Sequence, residues 1–509
     1  MAKNKFVSTL GNVDYTENLM VTNKSALDPN LDLFYKIGNR VNSGHSQKGY
    51  KPTESIVALA KNALVSDKEL AVKIIGWSRS VRQGAGVRQH MRDILLSGAI
   101  SMNEIDWEWF KIQGYWKDIF FFDPAKLKSM VLLDILQTIK KALDEEDNLI
   151  LKWLPRKKKN KGHQNNQWIF SIREFLKLSA KEYRQICSSF KTTETYMCAG
   201  KWEAIDYNGV PSVCMNKNKT AFYKHDEARI KAHIEAAKEH KVVNGKVAKI
   251  NVDALYPHQI IMPLISSNGG GWGHMTNWVN EKASSDKVKF AEAQWSQLKD
   301  KFQSDKKILV VGDTSGSMSG EPICISIALT VYCAERITGA FHNFACTFSG
   351  RPSFIEFEDS DSLVDKIQKI PEIVSNTNFE AIFDLILHKA IAENIPNTDM
   401  PEMILVISDM QFDYCTENPN YTAMEMIRAK YEKVGYAMPQ IVFWNVRNSS
   451  GVPATANQSG VVLFSGASVN SIKQAIEGEF NPMKAMLRVV DKEEFNFLKN
   501  GVFEERGVD

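Results

Sequence analysis

The most chemically suggestive part of this sequence is a set of aspartate and hydroxyl side chains that follow short apolar runs. Asp313, Ser315 and Ser317 form an Asp-x-Ser-x-Ser pattern after one such run. Thr377 lies in a later loop, and Asp409 directly follows a second run. Because carboxylate and hydroxyl oxygens suit a small hard cation, the set predicts a site for Mg²⁺ or Mn²⁺ with waters completing an octahedral shell. The competing interpretation is that the Asp-x-Ser-x-Ser pattern only caps the following helix.

These five side chains can share a site only if the apolar runs before them are neighbouring strands. Short β-rich runs occupy residues 306–313, 344–350, 401–410, 439–447 and 460–466. Stretches with helical periodicity separate them, at residues 322–337, 378–391, 421–434 and 471–478. Near-continuous apolar strands that alternate with helices predict an α/β domain with a doubly wound, mostly parallel sheet over residues 301–509. Ligands of such sheets bind beyond the carboxyl ends of the strands, which is where the five side chains fall.

The earlier part of the chain has a helical periodicity instead. Apolar residues recur at three- and four-residue spacing in segments 54–65, 68–81, 127–146 and 167–178. Consecutive amphipathic helices with short links predict an α-helical, HEAT-like repeat domain over residues 31–300. Residues 1–30 are polar and are predicted to form an N-terminal arm.

The charge of the chain is divided between these two parts. The net charge is only +3, but residues 1–300 hold 45 Lys and Arg against 32 Asp and Glu, whereas residues 301–509 hold 18 against 28. A basic excess of this size is compatible with a polyanion ligand such as RNA. The alternative is that two solvated surfaces of opposite charge simply attract each other.

Several classes of protein are excluded or disfavoured. The sequence contains no run of about 18 uncharged apolar residues, so no membrane-spanning segment is predicted. The seven cysteines are scattered and form no C-x-x-C pair, so neither a disulfide framework nor a structural zinc site is expected. The chain is therefore predicted to be intracellular and cytoplasmic. It has no G-x-S-x-G elbow and no H-E-x-x-H motif, and we predict that it is not an enzyme.

The three-part aspartate and hydroxyl pattern resembles the metal-ion-dependent adhesion site (MIDAS) of von Willebrand factor A domains. Asp313, Ser315 and Ser317 match its first motif, Thr377 matches its threonine loop, and Asp409 matches its third loop. The resemblance covers roughly residues 305–509. It implies a von Willebrand A fold, a bound Mg²⁺ and a candidate site for a protein partner.

The helical part carries a second resemblance, to the TROVE or Ro family of RNA-binding proteins. The segments WSRSVRQGAGVRQHMRDIL (77–95) and GYWKDIF (114–120) are similar to that family's Arg-Gly-rich turn and following helix. The segments at 152–162, 197–226 and 442–449 look closer still to a branch of plant, phage and giant-virus proteins with the same two-part layout. The resemblance implies a ring of helical repeats that binds single-stranded RNA ends in a basic hole and structured small RNAs outside it.

The candidate RNA-binding residues are basic side chains in three groups, and a solvated surface or loop is the alternative for each group. The first group is Arg79, Arg82, Arg88, Arg92 and Lys117, the second is Arg156, Lys157, Lys158 and Lys159, and the third is Lys217, Lys219 and His225. Trp77 and Trp116 could stack on bases, although packing in the helical core is the stronger expectation for both.

Taken together, the sequence predicts a non-catalytic RNA-binding protein whose second domain holds Mg²⁺ and offers a site for a protein partner. One rival is an adhesion scaffold that binds a carboxylate-bearing protein through the metal and binds no RNA. A second rival is a metal-dependent nuclease, in which Asp313 would be essential for RNA cleavage.

Overall fold

The computed structural model describes residues 11–16, 20–39, 52–160, 162–243, 245–265, 284–371, 378–412, 423–447 and 451–502. Within these ranges a helical part precedes an α/β part with a six-stranded sheet. The structure thus confirms the predicted combination of a helical part and an α/β part. No helix among the described residues combines the length and apolarity needed to cross a membrane.

The helical part contains fifteen of the described α-helices. They are α1 (Pro29–Ile37), α2 (Pro52–Ser66), α3 (Lys68–Arg79), α4 (Gln89–Leu96), α5 (Trp109–Ile112), α6 (Trp116–Ile119), α7 (Ser129–Asp144), α8 (Asn148–Trp153), α9 (Gln164–Leu176), α10 (Ala180–Ser189), α11 (Thr193–Cys198), α12 (Ser212–His225), α13 (Glu227–Lys238), α14 (Pro257–Ile261) and α15 (Ser285–Ser296). Two short hairpins accompany them, β1 (Val13–Tyr15) with β2 (Val21–Asn23) and β3 (Val242–Val243) with β4 (Lys246–Val247).

Side-chain caps mark the start of several helices. The Asp67 carboxylate accepts the Leu70 backbone N–H at 3.0 Å at the start of α3. Ser179 and Glu182 form a reciprocal capping box at the start of α10, since each side chain bonds the other residue's backbone N–H. Such bonds satisfy N–H groups that have no partner inside the helix.

The α/β part is built on one sheet with the strand order β10-β9-β8-β5-β6-β7. Its strands are β5 (Ile308–Asp313), β6 (Phe344–Phe348), β7 (Phe354–Glu356), β8 (Met403–Ser408), β9 (Gln440–Asn445) and β10 (Val461–Ser465). Its helices are α16 (Glu321–Ala334), α17 (Leu363–Lys369), α18 (Phe379–Ala392), α19 (Ala423–Lys433), α20 (Ile472–Ile476) and α21 (Pro482–Val490). All strand pairs are parallel except β6 with the edge strand β7. β5 and β8 are buried throughout, as their unbroken apolar sequences predict.

The two parts share a hydrophobic core. The ring centroids of Phe34 on α1 and Trp77 on α3 are 4.8 Å apart, and both rings lie 6.2 Å from that of Phe464 on β10. The Ser465 hydroxyl donates to the Phe34 carbonyl at 3.0 Å. Helices α1 and α3 therefore cover one edge of the sheet formed by the last part of the chain. Trp116 is also buried, so both tryptophans pack in the core as expected.

The C-terminal strap, residues 491–499, returns across the helical part. Lys73 on α3 is paired with Asp491 at 2.9 Å and with Glu493 at 3.0 Å. The Phe497 carbonyl accepts the Asp106 backbone N–H at 2.9 Å. The strap thus joins the end of the α/β part to helices near the start of the chain.

A second, smaller core lies within the helical part. It includes Tyr207, Met215 and Phe222, together with Ile234 on α13 and Phe290 on α15. These residues pack among themselves rather than within the larger core.

The predicted N-terminal arm overlaps the described residues 11–16 and 20–30. Its hairpin contacts the α/β part, since Asn23 forms a β-bridge with Val452 and the Thr16 hydroxyl donates to the Phe412 carbonyl at 2.6 Å.

Candidate cation and nucleic-acid sites

The sheet brings Asp313 and Asp409 together at its carboxyl edge. Asp313 ends β5 and Asp409 follows the adjacent strand β8, and both side chains are fully buried. The Ser408 hydroxyl donates to Asp313 Oδ2 at 2.5 Å, and the Ser317 hydroxyl donates to Asp409 Oδ1 at 3.3 Å. Two carboxylates therefore share a small buried space lined with hydroxyl groups.

The loop after β5 folds back onto these carboxylates. The Ser315 backbone N–H donates to Asp313 Oδ1 at 2.9 Å, and the Ser315 and Ser317 hydroxyl oxygens are 3.1 Å apart. Helix α16 begins only after Gly320 and has no side-chain cap. The capping interpretation of the Asp-x-Ser-x-Ser pattern is therefore wrong, because its side chains face one another and Asp409 instead of the helix start.

The electrostatics of this pocket favour a positively charged occupant. Burial raises the pKa of Asp313 well above its usual value, and the nearby Asp409 carboxylate acts in the same direction. A hard divalent cation would relieve both effects, so the donor set fits Mg²⁺ or Mn²⁺. The described residues contain no group of three or more His, Cys, Asp or Glu side chains suited to a metal. Ser315, Ser317 and water would therefore complete the ligand shell, and the predicted ligand Thr377 lies outside the described residues.

Sequence reasoning missed Arg447 at this pocket. Its guanidinium Nη1 donates to the Ser317 carbonyl and lies 3.6 Å from Asp409 Oδ2. The residue follows β9, whose carboxyl end is at the same edge of the sheet as those of β5 and β8. That position at a strand end is the signal in the sequence that points to Arg447.

Five basic side chains form a cluster in the helical part, which we call the basic cluster. They are Arg88, Arg92, Lys117, Lys152 and Lys217. Arg88 directly precedes α4 and Arg92 lies on it. Lys117 lies on α6, Lys152 on α8 and Lys217 on α12. Four of them were predicted separately from three segments of the sequence. Lys152 was missed, although it begins the basic segment at 152–162.

The environment of Lys117 defines this cluster. Burial lowers the pKa of Lys117, and Arg88, Lys152, Arg92 and Lys217 lower it further by charge repulsion. Its Nζ atom lies 3.9 Å from the ring centroid of Trp153, a cation–π contact. Among the described residues, no carboxylate lies within ion-pair distance of Lys117, Lys152 or Lys217. The three lysines are therefore an accumulation of like charge that an anion would stabilise, whereas Arg92 and Arg88 lie beside the Asp118 carboxylate.

Arg79 is not available for RNA, and its inclusion among the RNA contacts is corrected by the structure. Its side chain is 1% exposed and donates from Nε and Nη2 to Asp118 Oδ2 at 2.8 and 2.5 Å. Arg92 donates from Nε and Nη2 to Oδ1 of the same carboxylate at 3.2 and 2.8 Å. One buried carboxylate thus holds two arginines, while Arg88 remains 46% exposed at 3.7 Å from it.

Two other predicted arginines make structural bonds to backbone carbonyls. Arg82 Nε donates to the Ile112 carbonyl at 2.7 Å. Arg156 Nη2 donates to the Cys187 carbonyl at 2.6 Å, which ties the segment after α8 to α10. Both residues remain exposed, so these bonds orient their side chains without removing them from solvent.

The remaining predicted RNA contacts are exposed or partly buried. Lys157, Lys158 and Lys159 are exposed in the loop between α8 and α9. Lys219 is partly buried, with its Nζ atom 5.6 Å from the ring centroid of Phe290, and burial lowers its pKa. His225 stacks on Trp202 with centroids 4.7 Å apart and planes 11° apart.

Two family profiles match the chain. Residues 133–308 match the family described as "Domain of unknown function (DUF2828)", and residues 307–502 match "Domain of unknown function (DUF7788)". The junction of the two matches falls at the start of β5, where the α/β part begins.

The chain is also similar to a curated viral protein and to a solved bacterial structure. "Uncharacterized protein L728" of Acanthamoeba polyphaga mimivirus is 26% identical over 550 residues, which cover 97% of this chain and 89% of that protein. The crystal structure of the Deinococcus radiodurans RO (RSR) protein matches with a TM-score of 0.41 and 13% sequence identity. That match covers 92% of this chain and 100% of the other.

Proposed function

We propose that this chain is a non-catalytic, cytoplasmic RNA-binding protein of the Ro type, whose helical part grips single-stranded or small structured RNA. The observation that carries the proposal is the basic cluster. Lys117 on α6 lies close enough to Lys152 on α8 and Lys217 on α12 to be repelled by their charges, and no described carboxylate lies within ion-pair distance of these three lysines. The phosphate groups of a nucleic acid would remove this repulsion on binding.

Aromatic rings beside the cluster support RNA as the polyanion. Trp153 lies under Lys117, and the Arg88 guanidinium is 5.8 Å from the ring centroid of Tyr115. Single-stranded nucleic acids are bound by this combination of backbone-neutralising cations and rings on which bases can stack. A cluster that bound only small anions would have no need of such rings.

The α/β part is proposed to be a von Willebrand A domain that holds Mg²⁺ for a protein partner. Support comes from the placement of Asp313, Ser315, Ser317 and Asp409 at the carboxyl edge of the sheet. A cation there would present an open coordination position to a ligand oxygen. The acidic charge of residues 301–509 favours a ligand other than RNA at this site.

The RNA proposal is tested with a triple variant of the basic cluster, Lys117→Gln, Lys152→Gln and Lys217→Gln. Fluorescence anisotropy measures the affinity for a labelled single-stranded RNA as salt is raised. Each lost phosphate contact lowers the slope of log affinity against log salt by about 0.7, so the triple variant should lose about 2 from the wild-type slope. Its affinity at low salt should fall in parallel.

The matched control is Lys389→Gln, which removes one exposed positive charge from α18 in the α/β part. It should bind RNA with the wild-type affinity and slope. Equal binding by the wild type, the triple variant and the control would refute the proposed site. The absence of salt-dependent RNA binding in the wild type would favour the adhesion-scaffold alternative.

The absence of catalysis is tested separately. RNA incubated with the wild-type protein and Mg²⁺ should stay intact on a denaturing gel. Cleavage that Asp313→Ala abolishes would overturn the proposal in favour of a nuclease.

A further inference from the structure

Arg447 occupies an unusual position at the proposed cation site. Its guanidinium donates to the carbonyl of Ser317 and lies 3.6 Å from Oδ2 of the fully buried Asp409. The side chain is still 33% exposed, so part of it faces solvent. A partly exposed positive charge thus lies beside the buried Asp409 carboxylate.

Hydrogen bonds to both backbone groups of Arg447 fix its position. Its backbone N–H donates to Asn445 Oδ1 at 3.0 Å, which fixes the turn after β9. Its carbonyl accepts Asn39 Nδ2, from beyond the end of α1, at 3.3 Å. The preceding Val446 continues the sheet by donating its backbone N–H to the Ser408 carbonyl at 3.0 Å. Arg447 is therefore a positioned part of the site.

We propose that Arg447 competes with a divalent cation for Asp409, so that the cation binds tightly only together with an anionic oxygen ligand. The inference rests on the proposed cation site and names what controls its occupancy. A guanidinium and a cation that share one carboxylate repel each other strongly at low dielectric. With both aspartates ionised, the site carrying Arg447 and a divalent cation has one net positive charge.

An anionic ligand resolves this conflict. A carboxylate or phosphate oxygen that enters the cation's open position cancels the remaining charge, and N–H groups of Arg447 that bond to none of the described residues can bond to it. A neutral ligand of the same shape leaves the repulsion in place. Arg447 would thus favour a partner group with a negative charge. It would prevent tight cation binding when no such group is present.

The test measures Mn²⁺ binding to the full-length protein through the electron paramagnetic resonance signal of free Mn²⁺. Acetate is the anionic probe and acetamide is its neutral counterpart. Acetate should tighten Mn²⁺ binding to the wild type several-fold, and acetamide should not. Arg447→Gln should bind Mn²⁺ about tenfold more tightly than the wild type without any anion, and acetate should then have little effect.

Two further variants separate charge from structure. Arg447→Lys keeps the charge and should retain weak, acetate-dependent binding. Arg428→Gln removes an exposed arginine that lines a cavity with Gln440 and Gly460, at the amino ends of β9 and β10, and should behave as the wild type.

Each remaining outcome refutes a specific claim. Mn²⁺ affinity that is equal in the wild type and Arg447→Gln would overturn the role of Arg447 and leave the cation site standing. Tight binding by Arg447→Lys would show that charge is not the cause and would likewise overturn it. Failure of every variant to bind Mn²⁺, with or without acetate, would refute the cation site itself and the inference with it.

Discussion

Replacing Asp118 with asparagine tests whether Arg79 and Arg92 are structural. The carboxylate is 2% exposed and accepts four hydrogen bonds from these two side chains, two on each oxygen. Asparagine keeps the shape but offers one acceptor oxygen, and its NH₂ group would face the second guanidinium donor to donor. The 1% exposed Arg79 would then keep a buried charge without a counter-charge. Breaking a buried ion pair in this way costs about 3–5 kcal/mol.

The assay is equilibrium unfolding in urea, followed by tryptophan fluorescence. Asp118→Asn should unfold at a clearly lower urea concentration than the wild type. Asp144→Asn is the matched control, because Asp144 is 62% exposed and paired with Lys140 on the surface of α7. An exposed pair contributes at most about 1 kcal/mol. Equal, small effects of the two substitutions would refute the structural role of the Arg79–Asp118–Arg92 network.

Two further predictions address the strap and the cation site. Gly76→Ala places a Cβ atom 1.9 Å from the Phe495 carbonyl oxygen, so it should displace the C-terminal strap and lower the thermal midpoint, at a cost of about 1–3 kcal/mol. An unchanged midpoint would mean that the strap does not pack on α3. Asp409→Asn should abolish Mn²⁺ binding while circular dichroism stays unchanged, because a buried charged ligand is lost without a change of shape. Mn²⁺ binding at the wild-type level in this variant would show that the cation binds elsewhere.

The sheet and the candidate cation site could be predicted from the sequence because each depends on a short, continuous stretch of residues. The apolar runs before Asp313 and Asp409 are long and bounded, so they identify β5 and β8 and the residues at their carboxyl ends. The parallel arrangement then brings the two carboxylates together without further information. The short edge strand β7 (Phe354–Glu356) was missed, since three residues carry too little periodicity to be recognised.

The missed or corrected features depend on contacts between residues distant in sequence. Arg79 resembles a surface arginine in sequence, and only the fold reveals its pairing with Asp118, 39 positions away. The packing of Phe34 against Phe464 joins residues from opposite ends of the chain, and the hydrophobic pattern of α1 does not identify its partner. Arg447 was missed for the same reason, because its partner Ser317 is 130 positions away in the sequence.

The most direct test of RNA binding by the helical part is ultraviolet crosslinking of the full-length protein to a uridine-rich single-stranded RNA, with the crosslinked peptides identified by mass spectrometry. RNA binding at the basic cluster predicts crosslinks in peptides that contain Tyr115 or Trp153, the rings beside the cluster. These crosslinks should disappear in the triple lysine variant. Crosslinks confined to residues 305–502, or crosslinks at the two rings that persist in that variant, would contradict it.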